Sequence, residues 1–311
     1  MPATACRPSV PIDPQGDPMN TTNDNPLLHV HCIMETPVLD ARKWAKVPTS
    51  PTDGCLIDME DTVAQDRKLE GRAAVVKALS DPSFFGDRVL LSRPNGLNTP
   101  WGLDDTIALA RAGAENVILP MVTGPADVLE YQRILHEHDA DPNLIAGCET
   151  PAAVANVEAI VAIDRVIGLG FGEGDLTAAM GVPIFEPDGA INPIVMAART
   201  RAYLAAAGAG CAMLDIPFLH DLKDLDELRR RGDELLRMGA TGLFALYPPH
   251  AEVINELYTP DASAVDHART IVDVFEKAAA EGNPAVQLPD GKAVLIHDFK
   301  KAQQLLARVR S

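Results

Sequence analysis

Glu149 and Asp175 are the two side chains of this 311-residue sequence whose type and placement best suit a chemical task. Each follows a short apolar run, "NLIAGC" (143–148) and "RVIGLGF" (165–171). Neighbouring strands lie about 4.8 Å apart, so carboxylates at the ends of two adjacent strands converge on one point. Two carboxylates without a nearby Lys repel each other unless a cation lies between them. The pair therefore predicts a Mg²⁺ site, with Mn²⁺ as a substitute.

Helix capping is the alternative for each of these acids. Glu149 precedes "TPAAVANV" and Asp175 precedes "LTAAMG", and an acid at the start of a helix stabilises it. For either acid alone, capping is the favoured interpretation. For both acids on adjacent strands, metal binding is favoured.

Arg93 ends another apolar run and is the predicted substrate-binding cation. The planar guanidinium fork of an Arg can grip a carboxylate or polarise a carbonyl. Nearby, "IDMED" (57–61) holds more acids than helix capping requires. We expect Glu60 and Asp61 to belong to the catalytic group by holding Arg93 and metal-bound water in place. A simple ion pair between Arg93 and these acids is the alternative, and both interpretations can hold together.

Four further residues are predicted to bind substrate. Gly172 and Gly174 lie in "GFGEGDL", where glycines allow the backbone to crowd around a small ligand. Pro120 and Met121 end the run "NVILPM" (116–121).

These residues lie at the ends of short apolar runs that alternate with helix-like segments. Alternation of this kind predicts a (β/α)8 TIM barrel, an α/β fold whose chemistry collects at the carboxyl ends of its strands. A doubly wound open sheet is the rival, but it would usually need fewer strands and a glycine fingerprint on its first turn. The eight runs cover residues 27–34, 55–59, 89–92, 116–121, 143–148, 165–171, 211–218 and 242–248.

The chain is predicted to have three parts. Residues 1–26 are rich in Pro, Asn and Asp and predict a flexible arm rather than a signal peptide. Residues 27–258 predict the barrel. Residues 259–311 predict a C-terminal helical extension that packs across a subunit boundary, in a homo-oligomer such as a trimer or hexamer.

Composition limits the partners and the compartment. The net charge of −17 disfavours nucleic acid and anionic membranes as partners. Five cysteines without a CxxC motif suggest free thiols and a reducing cytoplasm.

Five motifs follow one another along the chain: "IDMEDTVAQDRKLEGR", "SRPNGLNTPWGLDD", "NVILPMV", "CETPAAVANV" and "GFGEGDLTAAMG". In these motifs and their order the chain resembles the aldolase / citrate lyase beta-subunit family. This resemblance implies a Mg²⁺-dependent barrel that makes or breaks a C–C bond through an enolate. By motif match it implies Glu149 and Asp175 as metal ligands and Arg93 as the substrate-binding arginine.

The predicted function is a Mg²⁺-dependent C–C lyase or aldolase acting on a small oxo or hydroxy acid. An acyl-CoA lyase of the citramalyl-CoA, malyl-CoA or citryl-CoA type is one alternative, and a non-catalytic, partner-binding barrel is another. Met121 replaces a Lys that is common in the family, which favours a free acid and predicts weak binding of acetyl-CoA. Candidates for the proton-transfer base are metal-bound water, Asp61 and an acid of another subunit.

Overall fold

Eight parallel strands form a closed barrel in the computed structural model, which describes residues 25–280, 286–288 and 291–309. Each strand pairs with the next in chain order, and the eighth pairs with the first through Cys32 and Leu243. The predicted barrel is confirmed, and the open-sheet alternative is wrong because the sheet closes. The strands are β1 (Cys32–Pro37), β2 (Gly54–Asp58), β3 (Val89–Arg93), β4 (Asn116–Leu119), β5 (Asn143–Cys148), β6 (Val166–Phe171), β7 (Ala212–Asp215) and β8 (Gly242–Ala245).

Helices follow the strands and cover the outside of the barrel. Two of them, α6 and α7, follow β6, so α6 is an extra short helix at the carboxyl end of that strand. Within the described residues, no helix is both long and apolar enough to cross a bilayer. The helices are α1 (Ala41–Trp44), α2 (Lys68–Leu79), α3 (Gly102–Arg111), α4 (Pro125–His136), α5 (Pro151–Val161), α6 (Glu173–Met180), α7 (Pro193–Ala209), α8 (Leu225–Met238), α9 (His250–Tyr258), α10 (Ala262–Ala280) and α11 (Ile296–Leu306).

The strands bury both of their faces, which explains their apolar runs without alternation. One face packs against the helices and the other fills the barrel interior. The interior cluster of buried residues consists of Leu27, Val30, Ile33, Leu56, Leu91, Ile118, Ile145, Ala212, Leu214 and Phe244.

The amino-terminal end of the barrel is closed by the chain itself. The predicted first strand, residues 27–34, starts later than expected because Pro26–His29 forms a 3₁₀ turn. Asn25 caps this turn by accepting the Leu27 N–H at 3.0 Å. Its amide group also donates to the carbonyl of Ile167 at 2.7 Å. These contacts hold Leu27 in the interior cluster, where it closes this end of the barrel. Most of the predicted arm lies outside the described residues.

The C-terminal extension consists of two helices joined by a short antiparallel hairpin, β9 (Val286–Gln287) with β10 (Ala293–Val294). Phe275 of α10 stacks on Phe299 of α11, with ring centroids 4.6 Å apart. The two predicted terminal helices are confirmed. The division of the chain at residues 26 and 258 stays a prediction.

Candidate active site

Arg93 lies at the carboxyl end of the barrel. It is the last residue of β3 and pairs in register with Asp58, the last residue of β2. Its guanidinium contacts four carboxylates, and Nε and Nη2 make the shortest of these contacts. Nε lies 2.7 Å from Asp58 and 3.4 Å from Glu60. Nη2 lies 3.0 Å from Asp61 and 3.1 Å from Glu35.

Asp58 is the most rigidly held of these acids. Its carboxylate is completely buried and accepts the N–H groups of Glu60 and Thr62, each at 2.9 Å. Burial opposes ionisation, but the charge of Arg93 and these hydrogen bonds outweigh it and lower the pKa of Asp58. Asp58 therefore fixes both Arg93 and the turn that carries Glu60 and Asp61.

Glu149, the residue after β5, lies in a space that two glycines leave open. A methyl group at Gly147 would lie 2.8 Å from Oε1 of Glu149, and one at Gly172 would lie 2.8 Å from Oε2. The Met121 N–H donates to Oε1 at 2.5 Å. Burial raises the pKa of Glu149, and the negative charges of Asp175 and Asp61 raise it further.

Asp175 lies in the first turn of α6 and is more exposed than Glu149. Partial loss of solvent raises its pKa, and the charge of Asp61 adds to the effect. Neither acid is an N-cap. Thr150 caps α5 by accepting the Ala153 N–H, and Gly172 is the N-cap residue of α6, which begins at Glu173. Asp175 nevertheless lies in the first turn of α6, where a negative charge is favourable, so the choice between helix stabilisation and metal binding stays a prediction for this acid.

An excess of negative charge is the main electrostatic feature of this region, because six carboxylates interact with one guanidinium. Burial raises the pKa of Glu35 to about 7 and that of Glu60 to about 8, despite the charge of Arg93. Such a site needs either bound protons or a bound cation. The six acids are Glu35, Asp58, Glu60, Asp61, Glu149 and Asp175.

Mg²⁺ fits the residues that are present. The described residues contain no group of three or more His, Cys, Asp or Glu side chains arranged to hold a metal. Mg²⁺ is commonly bound by only one or two carboxylates, with water and substrate oxygens as its other ligands. The cradled carboxylate of Glu149 and the neighbouring charge of Asp175 supply that number.

A cavity opens beside Arg93 and Glu149. Gly172 also lines it, whereas Pro120, Met121 and Gly174 do not, so their role in substrate binding stays a prediction. Glu60, Asp61 and Asp175 are likewise not lining residues. The cavity is lined by Glu35, Leu56, Arg93, Ile118, Gly147, Glu149, Gly170, Phe171, Gly172, Ile216 and Phe244.

Three functional residues were not assigned from the sequence. Asp58 and Glu35 hold Arg93, although the sequence pointed only to Glu60 and Asp61. The strand periodicity could have identified both acids. Asp58 lies two positions after Leu56, and Glu35 lies two positions after Ile33, so each acid shares the inward face of its strand with that apolar residue. The third is Lys68, whose buried ammonium group donates to the carbonyls of residues 59 and 60 at 3.0 and 2.5 Å.

Glu173 has a structural role beside the site. It is 1% exposed and its Oε1 accepts from Nη2 of Arg199 at 2.7 Å. Nε of Arg199 donates to Asp215 at 3.0 Å, and the Tyr203 hydroxyl donates to the same carboxylate at 2.7 Å. This buried network anchors the first turn of α6, which carries Asp175.

Comparisons with known proteins point to one family. The sequence pattern of the HpcH/HpaI aldolase/citrate lyase family matches residues 36–248. The beta subunit of citrate lyase from Escherichia coli K12 is 30% identical over 266 residues, covering 83% of this chain and 86% of the relative. A (3S)-malyl-CoA thioesterase from Cereibacter sphaeroides is 28% identical over 279 residues, covering 90% and 94%.

A solved structure shares the fold. The citrate lyase beta subunit of M. tuberculosis, complexed with oxaloacetate and magnesium, is 26% identical and superposes with a TM-score of 0.66. The match covers 75% of this chain and 99% of that one. The resemblance and the lyase class predicted from the sequence are confirmed, and the chain belongs to the HpcH/HpaI aldolase/citrate lyase family.

Proposed function

We propose that this lyase makes or breaks a C–C bond in a small oxo or hydroxy acid, with Mg²⁺ held by Glu149 and Asp175. The observation that carries the proposal is the Glu149 carboxylate, cradled by two glycines and lying with Arg93 along one cavity. The solved M. tuberculosis relative, complexed with oxaloacetate and magnesium, supports magnesium and an oxo acid as ligands of this fold. When bound, Mg²⁺ would act as a Lewis acid that polarises a carbonyl group of the substrate.

Arg93 is the electrophilic group that the chain itself supplies. Its Nε and Nη2 make the shortest contacts with the carboxylates, and Nη1 donates no hydrogen bond to a described residue. Nη1 is thus the nitrogen left to donate to a substrate oxygen. A donor fixed before the reaction stabilises charge as it develops, at no reorganisation cost.

Cleavage requires removal of the hydroxyl proton, rupture of the C–C bond and return of a proton to the enolate carbon. A base removes the proton of the substrate hydroxyl, whose carbon becomes a carbonyl. The C–C bond breaks, and its electron pair moves to the enolate oxygen of the other fragment, where Arg93 stabilises it. Glu35 lines the cavity and has a pKa of about 7, so it is well placed to carry the proton. Glu60 and Asp61 contact Arg93, and we assign them to positioning it.

The second candidate is an acyl-CoA lyase. It is favoured by the (3S)-malyl-CoA thioesterase that matches 90% of this chain. The two candidates differ in the fragment that becomes the enolate. An aldolase acting on free acids enolises the oxo acid, whereas an acyl-CoA lyase enolises the acyl group of the thioester.

Hydrogen exchange in D₂O separates these candidates. With Mg²⁺ present, an aldolase exchanges the methyl protons of pyruvate, and an acyl-CoA lyase exchanges those of acetyl-CoA, both measured by NMR. Because Met121 stands where the family commonly has a Lys, we expect exchange on pyruvate. Exchange on acetyl-CoA alone would establish the second candidate.

The metal site is tested by titrating Mn²⁺ and Mg²⁺ into Asp175→Asn and Glu149→Gln. Each change removes one anionic ligand, so affinity should fall by about 100-fold or more, together with the exchange rate. The control is Asp226→Asn, an exposed acid in the first turn of α8, which should bind metal as the wild type does. Full activity in excess EDTA would overturn the proposal.

We further propose a cytoplasmic homo-oligomer, a trimer or a hexamer. Exposed apolar side chains in the C-terminal extension support the oligomer, with Leu295 43% and Ile296 42% exposed. Three buried cysteines that form no disulfide bond, Cys55, Cys148 and Cys211, support a reducing compartment.

A further inference from the structure

The floor of the cavity is apolar, in contrast to its charged mouth. Leu56, Ile118 and Phe244 belong to the interior cluster of the barrel, and each is less than a tenth exposed. Ile216 packs against the same cluster. A substrate whose polar end reaches Arg93 and Glu149 would place the rest of its carbon chain against this floor.

The cavity offers no second cation. Arg93 is the only Lys or Arg among its described lining residues, and two of its nitrogens already contact carboxylates. The other ionisable lining residues are the acids Glu35 and Glu149. A second substrate carboxylate would lose water against the apolar floor and gain no partner, which is strongly unfavourable.

Gly170 keeps space open at the floor. It lies in β6 between Gly147 and Leu214 and lines the cavity. A methyl group built on Gly170 would meet no atom within 4 Å. Gly170 is thus a position where a small side chain enters the cavity without displacing the protein.

We propose that the oxo acid bound here carries an apolar group of one to three carbons beyond its carbonyl, rather than a second carboxylate. The specificity-determining residues are Gly170, Ile118, Ile216 and Phe244. This inference rests on the proposed function, because Arg93 and the metal site must hold the carboxyl and carbonyl groups of the same ligand.

The test compares two ligands of four carbons, 2-oxobutyrate and oxaloacetate, in which a methyl group replaces a carboxylate. Calorimetric titrations of the full chain with Mg²⁺ and freshly prepared acids should show 2-oxobutyrate binding at least about tenfold more tightly. Glyoxylate, which carries no group beyond its carbonyl, serves as the reference ligand.

Variants at Gly170 test the floor directly. Gly170→Val should weaken 2-oxobutyrate binding by about tenfold or more while glyoxylate binding is kept, and Gly170→Ala should have a smaller effect in the same direction. Gly208→Ala, at an exposed position of α7 with open space, should change neither. Thermal melts check folding, and Gly170→Ala keeps the test informative if the Val variant fails to fold.

Failure of this inference and failure of the proposed function would give different results. Oxaloacetate binding as tightly as 2-oxobutyrate, or Gly170 variants that weaken both acids equally, would overturn the inference and leave the proposed function intact. If glyoxylate also failed to bind in the presence of Mg²⁺, both proposals would be wrong.

Discussion

At the scale of single residues, the guanidinium of Arg93 organises the site. Four carboxylates fix its orientation through Nε and Nη2, so little side-chain entropy is lost when Nη1 meets a substrate. The same acids would be strongly repelled by one another without a cation. The negative charge that fixes Arg93 therefore also favours binding of a metal cation by Glu149 and Asp175.

The raised pKa values predict how the stability of metal-free protein depends on pH. The pKa values of Glu35 and Glu60 lie at about 7 and about 8, above the usual 4.5. Between pH 5 and 8.5 the folded state thus binds more protons than the unfolded state, so stability falls as pH rises. We expect a loss of about 1 kcal/mol or more in urea titrations with EDTA, which Mg²⁺ should reverse. Glu60→Gln should flatten this dependence; a stability that rises with pH in EDTA would contradict the explanation.

Glu173 gives a prediction of a different kind, because its partner is Arg199 rather than substrate. Glu173→Gln removes a buried charge from the network of Arg199 and Asp215, which should cost about 1–3 kcal/mol of stability. Metal affinity of the folded variant should stay within about threefold of the wild type. The measurements are a thermal melt and a Mn²⁺ titration. Loss of metal binding without loss of stability would instead make Glu173 a ligand.

At the scale of elements, the turn after β2 and the start of α6 deliver the acids to the site. Lys68, at the first position of α2, clamps the turn by donating to the carbonyls of Met59 and Glu60. Asn95 also donates to the Met59 carbonyl, at 3.0 Å. The turn is therefore held from behind while its carboxylates face Arg93.

Loss of this clamp should impair the site more than the fold. Lys68→Met leaves a buried carbonyl with fewer donors, which costs about 1–3 kcal/mol. Because the turn positions Glu60 and Asp61 against Arg93, we expect the exchange rate to fall by at least about tenfold, with substrate affinity less affected. Lys77→Met, at an exposed position of the same helix, is the matched control. Equal rates for both variants would remove Lys68 from the positioning group.

At the scale of the whole molecule, the closed barrel is followed by two helices, α10 and α11, that pack against each other. The stacked rings of Phe275 and Phe299 join α10 to α11. Apolar side chains at the start of α11 stay exposed, and large apolar groups in water favour association. The extension thus has a surface suited to a second copy of the chain.

Light scattering tests this arrangement. The intact protein should have a mass three or six times the 33.3 kDa of one chain. Replacing both Leu295 and Ile296 by Asp should lower that mass, because charges would be buried without partners. Leu69→Asp, at a 68% exposed position of α2, should not. A wild-type monomer at working concentration would refute the proposed oligomer.

The sequence by itself determined the barrel and the positions of its chemistry. Apolar runs of strand length, covered on both faces, alternate with helices. The common closed fold with this pattern is the (β/α)8 barrel. Residues that directly follow such runs must lie at the carboxyl rim. The pattern alone therefore predicts that Arg93, Glu149 and Asp175 lie near one another. The first strand begins later than its apolar run predicts because Pro26–His29 forms a turn.

Only the tertiary structure decided the contacts among these residues. The path of the chain placed Thr150 and Gly172, rather than the two acids, at the N-cap positions of α5 and α6. The four partners of Arg93 come from two strands and a turn, so no local pattern could rank them. Likewise, Glu173 joined Arg199, 26 residues away, and Met121 contributed a backbone N–H rather than its side chain. Pairings of this kind depend on distances across the barrel, which a linear spacing does not contain.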